Sequence, residues 1–212
     1  MNFYDGYGNT ITIAAEAKPF AGKKWAVLGD SISMSRATKF YHTLIAEELG
    51  FTVQNLAESG KGYSYIKDSE VPAIDEDVAL ITIFAGTNDI TSAAYVGDPT
   101  DTEYNYSGLV YQTILAVQER FPKVPFGIIT PTQRHDYDTG HTSCAKIAAG
   151  IKAVCELYSV PCFDMHAESG LLALNDSGKG YYFTDGLHLS DAGHAVMAAR
   201  IKPFIESLMP EG

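Results

Sequence analysis

Basic residues are scarce in this sequence. Its 15 Lys and Arg stand against 26 Asp and Glu, so the formal net charge is -11 at pH 7. A surface of this sign repels the phosphate backbone of nucleic acids and the headgroups of anionic membranes, and no Lys/Arg cluster offsets the repulsion. We therefore expect neither nucleic acid nor an anionic membrane surface as a partner.

Cysteine is equally scarce, with 3 residues in the chain. Cys144, Cys155 and Cys162 are too few and too irregularly spaced to build a disulfide framework or a zinc site. Cys155 lies on an apolar helical stripe and Cys162 in an expected buried strand, where a free thiol packs as a small hydrophobic side chain. The cysteines therefore indicate core packing and leave the redox compartment undecided.

Long apolar runs and cofactor motifs are missing as well. No run is long enough to span a membrane, so we expect no membrane insertion, and residues 1–5 lack the basic and apolar regions of a signal peptide. The chain is then cytoplasmic, or it is a module of a larger exported or particle-borne protein, an option that the Tyr/Gly/Thr-rich residues 1–22 favour slightly. The sequence also contains no G-x-S-x-G elbow, no H-E-x-x-H motif, no phosphate-binding loop and no G-x-G-x-x-G fingerprint.

What the chain does contain is a regular alternation of strand and helix patterns over 212 residues, of which 46% are hydrophobic and 19% charged. We interpret residues 1–22 as an N-terminal extension or linker and residues 23–212 as one α/β domain. The expected strands are Trp25–Leu28, Phe51–Val53 leading to Asn55, Val78–Phe84, Phe126–Ile129 and Val160–Met165. Amphipathic helices are expected near 37–49, 109–121 and 147–158, and after Ser190 as N-cap.

This alternation with short links predicts a parallel sheet with helices on both faces, a three-layer α/β/α sandwich. In the flavodoxin-like order 2-1-3-4-5, the first and third of the five strands are neighbours whose connections leave in opposite directions. Ligands bind outside the carboxyl ends of the strands at such a switch point. Ser31 follows the first strand and Asn88 follows the third, so this topology brings the two residues together.

Four short segments supply the groups that a serine esterase needs. In Gly29-Asp30-Ser31, the glycine permits a sharp exit from the strand and leaves Ser31 as a candidate nucleophile near the N-terminus of the next segment. In Asp185-Gly186-Leu187-His188, a compact turn can direct the imidazole Nε2 at the serine while the carboxylate holds the Nδ1–H. Each of these segments, taken alone, is also an ordinary turn sequence.

The other two segments offer donors for an oxyanion. Gly60, in Ser59-Gly60-Lys61-Gly62, lets the backbone approach a reacting carbonyl group so closely that its N–H can donate. Asn88 provides a neutral amide donor at the end of the most buried strand. Asn55 is expected to brace the Gly60 loop through side-chain hydrogen bonds. The alternatives remain that Gly60 is a flexible loop glycine and that Asn88 satisfies the backbone hydrogen bonds of a turn at the end of its strand.

Two further groups of polar residues could take part. His194, in the last helix, competes with His188 as the base, but we interpret it as a surface helix residue. The stretch Arg134-His135-Asp136-Tyr137-Asp138, with His141, could be read as a metal cluster, but its spacing matches no known ligand pattern. We interpret it instead as a mobile rim loop that could touch substrate, and we predict no metal site.

The four segments, in this order, resemble the SGNH (GDSL-type) hydrolase superfamily. Gly29-Asp30-Ser31-Ile32 resembles the first sequence block of this family, with Ile where Leu is commoner. Residues 55–60, 86–89 and 185–188 match three of its other blocks. The resemblance covers about residues 23 to 208. It implies a three-layer α/β/α fold, an ester-hydrolysing activity, and no metal or organic cofactor.

The resemblance also assigns roles to individual residues. Ser31 would be the nucleophile, His188 the base and Asp185 the residue that orients the base. The oxyanion would be held by the Ser31 N–H, the Gly60 N–H and the side chain of Asn88.

Tyrosines near these segments suggest the substrate. Tyr63 and Tyr65 follow Gly60, and Tyr181 and Tyr182 precede the turn at residues 185–188. Aromatic rings at such places can stack on sugar faces. We therefore name Tyr63, Tyr65 and Tyr182 as candidate substrate contacts. No long apolar lid segment is visible, which argues against a lipase that acts on lipid aggregates. We expect an esterase that removes short acyl groups, acetyl above all, from a carbohydrate.

Two other interpretations remain open. A lysophospholipase or thioesterase-like enzyme would hydrolyse lipid esters through the same residues. A non-catalytic glycan-binding or particle-attachment module would keep only the fold. Residues 1–22 favour the module slightly, whereas the intact Ser, Gly, Asn, Asp and His residues argue against it. The sequence indicates no oligomeric state.

Overall fold

A computed structural model describes residues 3–4, 10–11, 18–103, 105–134, 140–171 and 176–209 of the chain. A small antiparallel pair is formed by β1 (Phe3–Tyr4) and β2 (Thr10–Ile11). The main sheet of the described residues has five parallel strands. They are β3 (Lys24–Gly29), β4 (Thr52–Asn55), β5 (Val78–Phe84), β6 (Phe126–Ile129) and β7 (Cys162–Phe163).

The order of these strands places the site. They lie in the order β4-β3-β5-β6-β7. Counted within the sheet, this is the predicted order 2-1-3-4-5, which is therefore confirmed. β3 pairs with β5 as far as its last residue, where Gly29 lies opposite Phe84. The segments that follow β3 and β5 consequently start at the same edge of the sheet.

Helices cover both faces of this sheet. Those of the described residues are α1 (Tyr41–Leu49), α2 (Tyr63–Tyr65), α3 (Val71–Ala73), α4 (Tyr106–Arg120), α5 (Gly140–Leu157), α6 (Met165–Glu168), α7 (Asp176–Tyr182) and α8 (Asp191–Leu208). The chain also forms 3-10 turns at Ser31–Ser33 and Ile90–Ala94, and a π turn at Ile66–Glu70 that joins α2 to α3. Within the described ranges, no helix is long and apolar enough to cross a membrane.

The alternation of side chains along β3 divides the core between two layers. Trp25 and Val27 belong to one apolar cluster, which includes buried residues of α1 and α8. Ala26 and Leu28 belong to a second cluster, which includes buried residues of α4 and α5. The three-layer α/β/α sandwich expected from the sequence is confirmed.

Two helix ends agree with the sequence signals. Gly50 ends α1 with a φ of 93°, a left-handed conformation that glycine adopts without a side-chain clash. Ser190 caps α8, because its hydroxyl oxygen accepts a hydrogen bond from the Gly193 N–H at 3.2 Å. Short local patterns therefore specify where these helices stop and start.

The fifth strand of the main sheet is shorter than expected. The sequence predicts a strand over Val160–Met165, but only Cys162–Phe163 pairs with β6. Asp164 caps α6 by accepting a hydrogen bond from the Ala167 N–H, so the chain already turns into a helix there. The expectation that Cys162 is buried is wrong, since this short edge strand leaves it half-buried.

The segment just before β3 lies against the main body of the chain. The ring of Phe20 stacks on that of Phe51, with the centroids 4.9 Å apart. The Phe20 N–H also donates a hydrogen bond to the Leu49 carbonyl at 2.9 Å. The boundary between an extension at 1–22 and a domain at 23–212 stays a prediction.

Candidate active site

Ser31 begins the 3-10 turn that follows β3. Asp30 caps this turn, because its Oδ1 accepts a hydrogen bond from the Ile32 N–H at 2.9 Å. Position 29 has no room for a side chain: a Cβ on Gly29 would lie 2.3 Å from the carbonyl oxygen of Phe84. The close packing of β3 against β5 thus requires a glycine directly before the turn that carries Ser31.

Asp185 organises the loop that carries His188. An isolated bridge between Phe183 and Leu189 closes this loop. Asp185 Oδ1 accepts hydrogen bonds from the N–H of Leu187 at 3.1 Å and from that of His188 at 2.7 Å. Asp185 Oδ2 lies 2.8 Å from His188 Nδ1. Since a carboxylate only accepts, we place the imidazole proton on Nδ1, which leaves Nε2 as an acceptor.

The fold brings the two segments into contact. His188 Nε2 lies 2.9 Å from Ser31 Oγ, although the two residues are 157 positions apart in the chain. The Ser31 hydroxyl can therefore donate to Nε2, and its proton has a direct route to the imidazole. The predicted nucleophile, base and orienting carboxylate form one hydrogen-bonded chain.

The charge on Asp185 is maintained by its surroundings. Partial burial by itself raises the pKa of Asp185, but the hydrogen bonds from the backbone and imidazole of His188 outweigh it and hold the pKa below its ordinary value. Arg36 Nε lies 3.6 Å from Asp185 Oδ2, and the arginine side chain is 60% exposed. Arg36 also has a φ of 66°, which is uncommon for a residue with a side chain. The rim of the site next to the carboxylate thus carries a positive charge.

The Gly60 loop lies next to both strand ends. Gly60 has a φ of 77°, and a Cβ there would meet no atom within 4 Å, so its backbone borders open space. The Glu58 N–H donates to the carbonyl oxygen of Gly29 at 3.2 Å, which ties the loop to the end of β3. Asn88 Nδ2 donates to the Lys61 carbonyl at 2.8 Å, which ties the loop to the segment after β5. A side-chain amide has two N–H bonds, and this contact uses one of them.

Two more side chains brace the same loop. Asn55 Nδ2 donates to the Ser33 carbonyl at 2.9 Å, and Asn55 Oδ1 accepts from the Ala57 N–H at 3.2 Å. The expected bracing role of Asn55 is confirmed. Asp89 Oδ2 accepts a hydrogen bond from the Tyr63 N–H at 3.3 Å. Burial raises the pKa of Asp89 to about 6, although this hydrogen bond acts in the opposite direction.

Tyr63 does not reach the site. Its side chain is 0% exposed, and its ring packs edge-on against Tyr106 with the centroids 5.8 Å apart. The prediction that Tyr63 contacts substrate is therefore wrong. The physical reason is that α2 directs this ring into the core that it shares with α4.

Tyr65 and Tyr182 remain accessible to different degrees. Tyr65 is half-buried, its hydroxyl donates to Glu58, and Lys61 Nζ lies 4.7 Å from the centroid of its ring. Tyr182 is also half-buried, and its ring meets the ring of Tyr181 edge-on. Tyr181 is 66% exposed. Substrate contact by Tyr65 and Tyr182 stays a prediction.

His194 is a core residue, so its interpretation as a surface helix residue is wrong. It is 0% exposed, and its Nδ1 accepts a hydrogen bond from the Tyr41 N–H at 3.3 Å. Its ring packs edge-on against Phe40 with the centroids 5.1 Å apart. Burial, together with the nearby imidazole of His42, lowers the pKa of His194 to about 4. The packing of α1 against α8 thus buries the helix face that carries this histidine, and it is His188 that contacts Ser31.

Arg134 is buried beneath the site. It is 5% exposed, and its Nη1 donates to the Thr87 carbonyl at 2.7 Å. The interpretation of this residue as part of a mobile rim loop is therefore wrong, because the strand-end carbonyl holds its guanidinium in place. Residues 135–139 and the side chain of His141 lie outside the described residues. Among the residues that are described, no group of three or more His, Cys, Asp or Glu could hold a metal ion.

Glu70 is a further residue of the site that no sequence motif marks. It is 3% exposed, and its Oε2 accepts a hydrogen bond from the Gly29 N–H at 2.8 Å. In the sequence it follows the polar residues Lys67-Asp68-Ser69, and this context does not distinguish it from a solvated helix position.

Comparison with known proteins gives a family and a set of similar folds. The model of the GDSL-like lipase/acylhydrolase family matches residues 27–196. None of the curated proteins compared with the chain matches it significantly.

Solved structures resemble this one over nearly their whole length. A protein from Lactobacillus plantarum has a TM-score of 0.79 and 25% identity, over 90% of this chain and 99% of that chain. A possible lipase from Chitinophaga pinensis has a TM-score of 0.73 and 19% identity, over 87% of this chain and 98% of that chain. A catalytic mutant of an acetylxylan esterase from Geobacillus stearothermophilus has a TM-score of 0.63 and 21% identity, over 92% of this chain and 100% of that chain. At such identities, the last two structures indicate the fold alone.

Proposed function

Because the chain belongs to the GDSL-like lipase/acylhydrolase family, we propose that it is a serine esterase with Ser31 as nucleophile, His188 as base and Asp185 as the carboxylate that orients the base. Hydrolysis of acyl esters follows from the family, whereas the residue roles are our proposal. One observation carries them: Ser31 Oγ lies 2.9 Å from His188 Nε2, and His188 Nδ1 lies 2.8 Å from Asp185 Oδ2.

The reaction begins with acyl transfer to the enzyme. Ser31 Oγ bonds to the carbonyl carbon of the ester while its proton moves to His188 Nε2. Asp185 accepts from Nδ1–H and stabilises the imidazolium that forms. The tetrahedral intermediate then collapses, the carbon–oxygen bond to the alcohol breaks, and the alcohol takes the proton from Nε2. Water attacks the acyl-enzyme by the same route and releases the acid.

The carbonyl oxygen becomes negatively charged in the tetrahedral intermediate and needs donors. The backbone N–H groups of Ser31 and Gly60 and the second side-chain N–H of Asn88 would supply them. Two contacts support this assignment. The Glu58 N–H ties the Gly60 loop to the end of β3, and Asn88 donates its other N–H to the carbonyl of the residue after Gly60. Removing one donor of this kind costs about 10²–10³ in rate in other enzymes.

The substrate that we propose is a short acyl ester, chiefly an acetyl ester, of a carbohydrate. Tyr65 and Tyr182 offer partly exposed rings close in sequence to Gly60 and to Asp185, and such rings can stack on sugar faces. One of the structures with a similar fold is described as an acetylxylan esterase. A lysophospholipase or thioesterase-like activity, and a non-catalytic glycan-binding module, are the alternatives that the experiments must separate.

A serine-reactive fluorophosphonate probe tests the nucleophile. The wild type should be labelled, and Ser31→Ala should not, because the probe reacts only with an activated hydroxyl. Ser64→Ala is a matched control, since Ser64 is an exposed serine of α2, and its labelling should equal that of the wild type. Equal labelling of wild type and Ser31→Ala, or labelling of neither, would rule out the assignment.

A chain-length series tests the substrate class. Nitrophenyl esters from acetate to octanoate and acetylated polysaccharides should give the highest kcat/KM for acetate and release acetate from the polysaccharide. A preference for octanoate would identify a lipid ester hydrolase instead. Binding of the polysaccharide without release of acetate would identify a glycan-binding module.

A further inference from the structure

A buried carboxyl group lies directly behind the turn that carries Ser31. Glu70 ends the π turn Ile66–Glu70 and is 3% exposed. Its Oε2 accepts a hydrogen bond from the Gly29 N–H at 2.8 Å. Gly29 is the last residue of β3, and its carbonyl accepts from the Glu58 N–H of the Gly60 loop. Glu70 therefore holds the residue that anchors the Gly60 loop and directly precedes the cap of the turn that carries Ser31. π turns are rare and are frequently found at functional sites.

A second buried carboxyl group caps the 3-10 turn that carries Ser31. Asp30 is 1% exposed, and its Oδ1 accepts from the Ile32 N–H at 2.9 Å. Each of the two carboxyl groups thus accepts a backbone N–H with one oxygen, Glu70 at the end of β3 and Asp30 in the turn that follows. The other oxygens, Asp30 Oδ2 and Glu70 Oε1, are both buried and have no hydrogen-bond partner. Two buried carboxylates, each with an unpartnered oxygen, would cost free energy because a buried charge needs partners. A proton on either group removes its charge and turns one acceptor oxygen into a donor.

The charges around Glu70 favour its protonated form. Burial raises the pKa of Glu70 to about 8, and the negative charges of Asp30 and Glu58 add to the increase. The backbone N–H groups of Gly29 and Glu58 act in the opposite direction. On α4, which packs against the π turn, Arg120 donates to the carbonyl of Val71 at 2.7 Å and so does not pair with Glu70.

The other charged residues near Glu70 do not favour its charged form. Lys67, on the π turn itself, pairs with Asp68 at 3.2 Å. Among the described ion pairs, none includes Glu70. No described cation therefore compensates a charge on this carboxyl group.

Asp30 is in a similar environment. Burial raises the pKa of Asp30 to about 7, and the charge of Asp89 acts in the same direction. The Ile32 N–H, the guanidinium of Arg134 and the amide of Thr87 lower the pKa of Asp30. The Thr87 amide does not form a hydrogen bond to Oδ2. Burial is thus the main cause of the raised pKa of both carboxyl groups.

We propose that Glu70 is a positioning residue for Ser31. It lies with Asp30 as one of two buried carboxyl groups behind the turn, keeps a proton there and, through the Gly29 N–H, fixes the backbone that carries the nucleophile. Loss of that proton would place a second negative charge behind the turn, and this charge would oppose the oxyanion. This inference rests on the proposed function, because turnover at Ser31 is one of its readouts.

Glu70→Gln is the decisive variant. Its side-chain carbonyl oxygen can still accept from the Gly29 N–H, and its amide cannot lose a proton. Wild-type kcat should fall by about tenfold between pH 7 and pH 9 as Glu70 loses its proton. The kcat of Glu70→Gln should equal that of the wild type within about threefold at pH 7 and remain there at pH 9. KM should not change.

Two further variants complete this experiment. Glu70→Ala removes the acceptor of the Gly29 N–H, so kcat should fall by about tenfold or more at pH 7 with KM unchanged. Glu119→Gln, an exposed position of α4, should reproduce the wild-type pH profile. A wild-type profile that is flat to pH 9, or the same alkaline decrease in Glu70→Gln, overturns the proposal. So does full activity of a folded Glu70→Ala; if that variant does not fold, Glu70→Gln decides alone.

A thermal unfolding series separates this proposal from the proposed function, because it needs no substrate. The folded pKa of Glu70 lies above the unfolded value, so its contribution to stability is complete at low pH and is lost as the pH rises through about 8. The Tm of Glu70→Gln relative to the wild type should therefore increase from pH 5 to pH 9. An unchanged difference would contradict a protonated Glu70, even if the probe experiment confirms Ser31.

Discussion

Asp185 and Asp30 are two carboxyl groups of one site with opposite pKa shifts. Asp185 is partly exposed and receives hydrogen bonds from its own loop, so its pKa lies below the ordinary value despite partial burial. Asp30 is almost completely buried, and its pKa rises to about 7. Groups whose environments push their pKa values apart can take different roles at one pH. Here Asp185 remains charged beside the imidazole, whereas Asp30 can keep a proton near neutral pH.

The charge of Asp185 has a measurable consequence. Asp185→Asn should reduce kcat by about 10⁴-fold, with little change in KM, because an amide does not hold the Nδ1–H tautomer of His188. Asp98→Asn serves as the control, since Asp98 contacts Thr100 in an exposed loop, and its kcat should match the wild type. Steady-state kinetics on a nitrophenyl acetate measures both. A decrease of less than about tenfold for Asp185→Asn would mean that another group orients His188.

At the scale of elements, β3 positions most of the site. It is flanked by β4 and β5, so the loops that follow all three strands start at one edge of the sheet. Side chains from the loops then connect these ends: Asn55 donates to the carbonyl of Ser33, and Asn88 to the carbonyl of Lys61. The nucleophile turn and the Gly60 loop are therefore held by contacts between elements and not by either segment alone.

The close approach of β3 and β5 makes Gly29 sensitive to substitution. Gly29→Ala should lower the free energy of unfolding by about 3 kcal/mol, because its Cβ would lie 2.3 Å from a backbone oxygen that cannot move aside. The matched control is Gly180→Ala in α7, where a Cβ would meet no atom within 4 Å. That variant should be as stable as the wild type or about 0.5–1 kcal/mol more stable. Urea unfolding followed by circular dichroism gives both values, and equal stability of the two variants would contradict the packing at β3.

At the scale of the whole molecule, the net charge of -11 acts on every substrate that approaches. The cations at the site are already engaged: Arg36 Nε lies 3.6 Å from the carboxylate of Asp185, and Lys61 Nζ lies 3.7 Å from that of Glu58. The long-range field at the mouth of the site is therefore expected to be negative. Such a field favours neutral esters, in agreement with the proposed acetyl substrate.

Salt should reveal this field. For an anionic ester such as a succinate monoester, kcat/KM should increase as ionic strength rises from about 10 mM to about 150 mM, because salt screens the repulsion. For a neutral acetate ester of the same alcohol, kcat/KM should stay constant over that range. A decrease for the anionic ester would show that Arg36 and Lys61 dominate the local field.

Much of the fold and of the candidate site can be predicted from local sequence. The apolar run at Val78–Phe84 and the helix signals at Gly50 and Ser190 agree with the structure because strand burial and helix capping depend on a few neighbouring residues. The strand order follows from connection rules, and it is enough to expect Ser31 near Asn88. The order of the four segments indicates which residues to examine, before any coordinates are known.

Only the tertiary structure decided which polar side chains are buried and what they contact. Tyr63 packs on Tyr106, His194 is enclosed where α8 meets α1, and Glu70 accepts the N–H of Gly29. Each of these contacts joins residues more than 40 positions apart. Burial is a property of two surfaces that pack together, so the local pattern around one of them does not specify it. For the same reason, the sequence suggested Ser31 and His188 as partners, but only the folded chain determines the 2.9 Å between them.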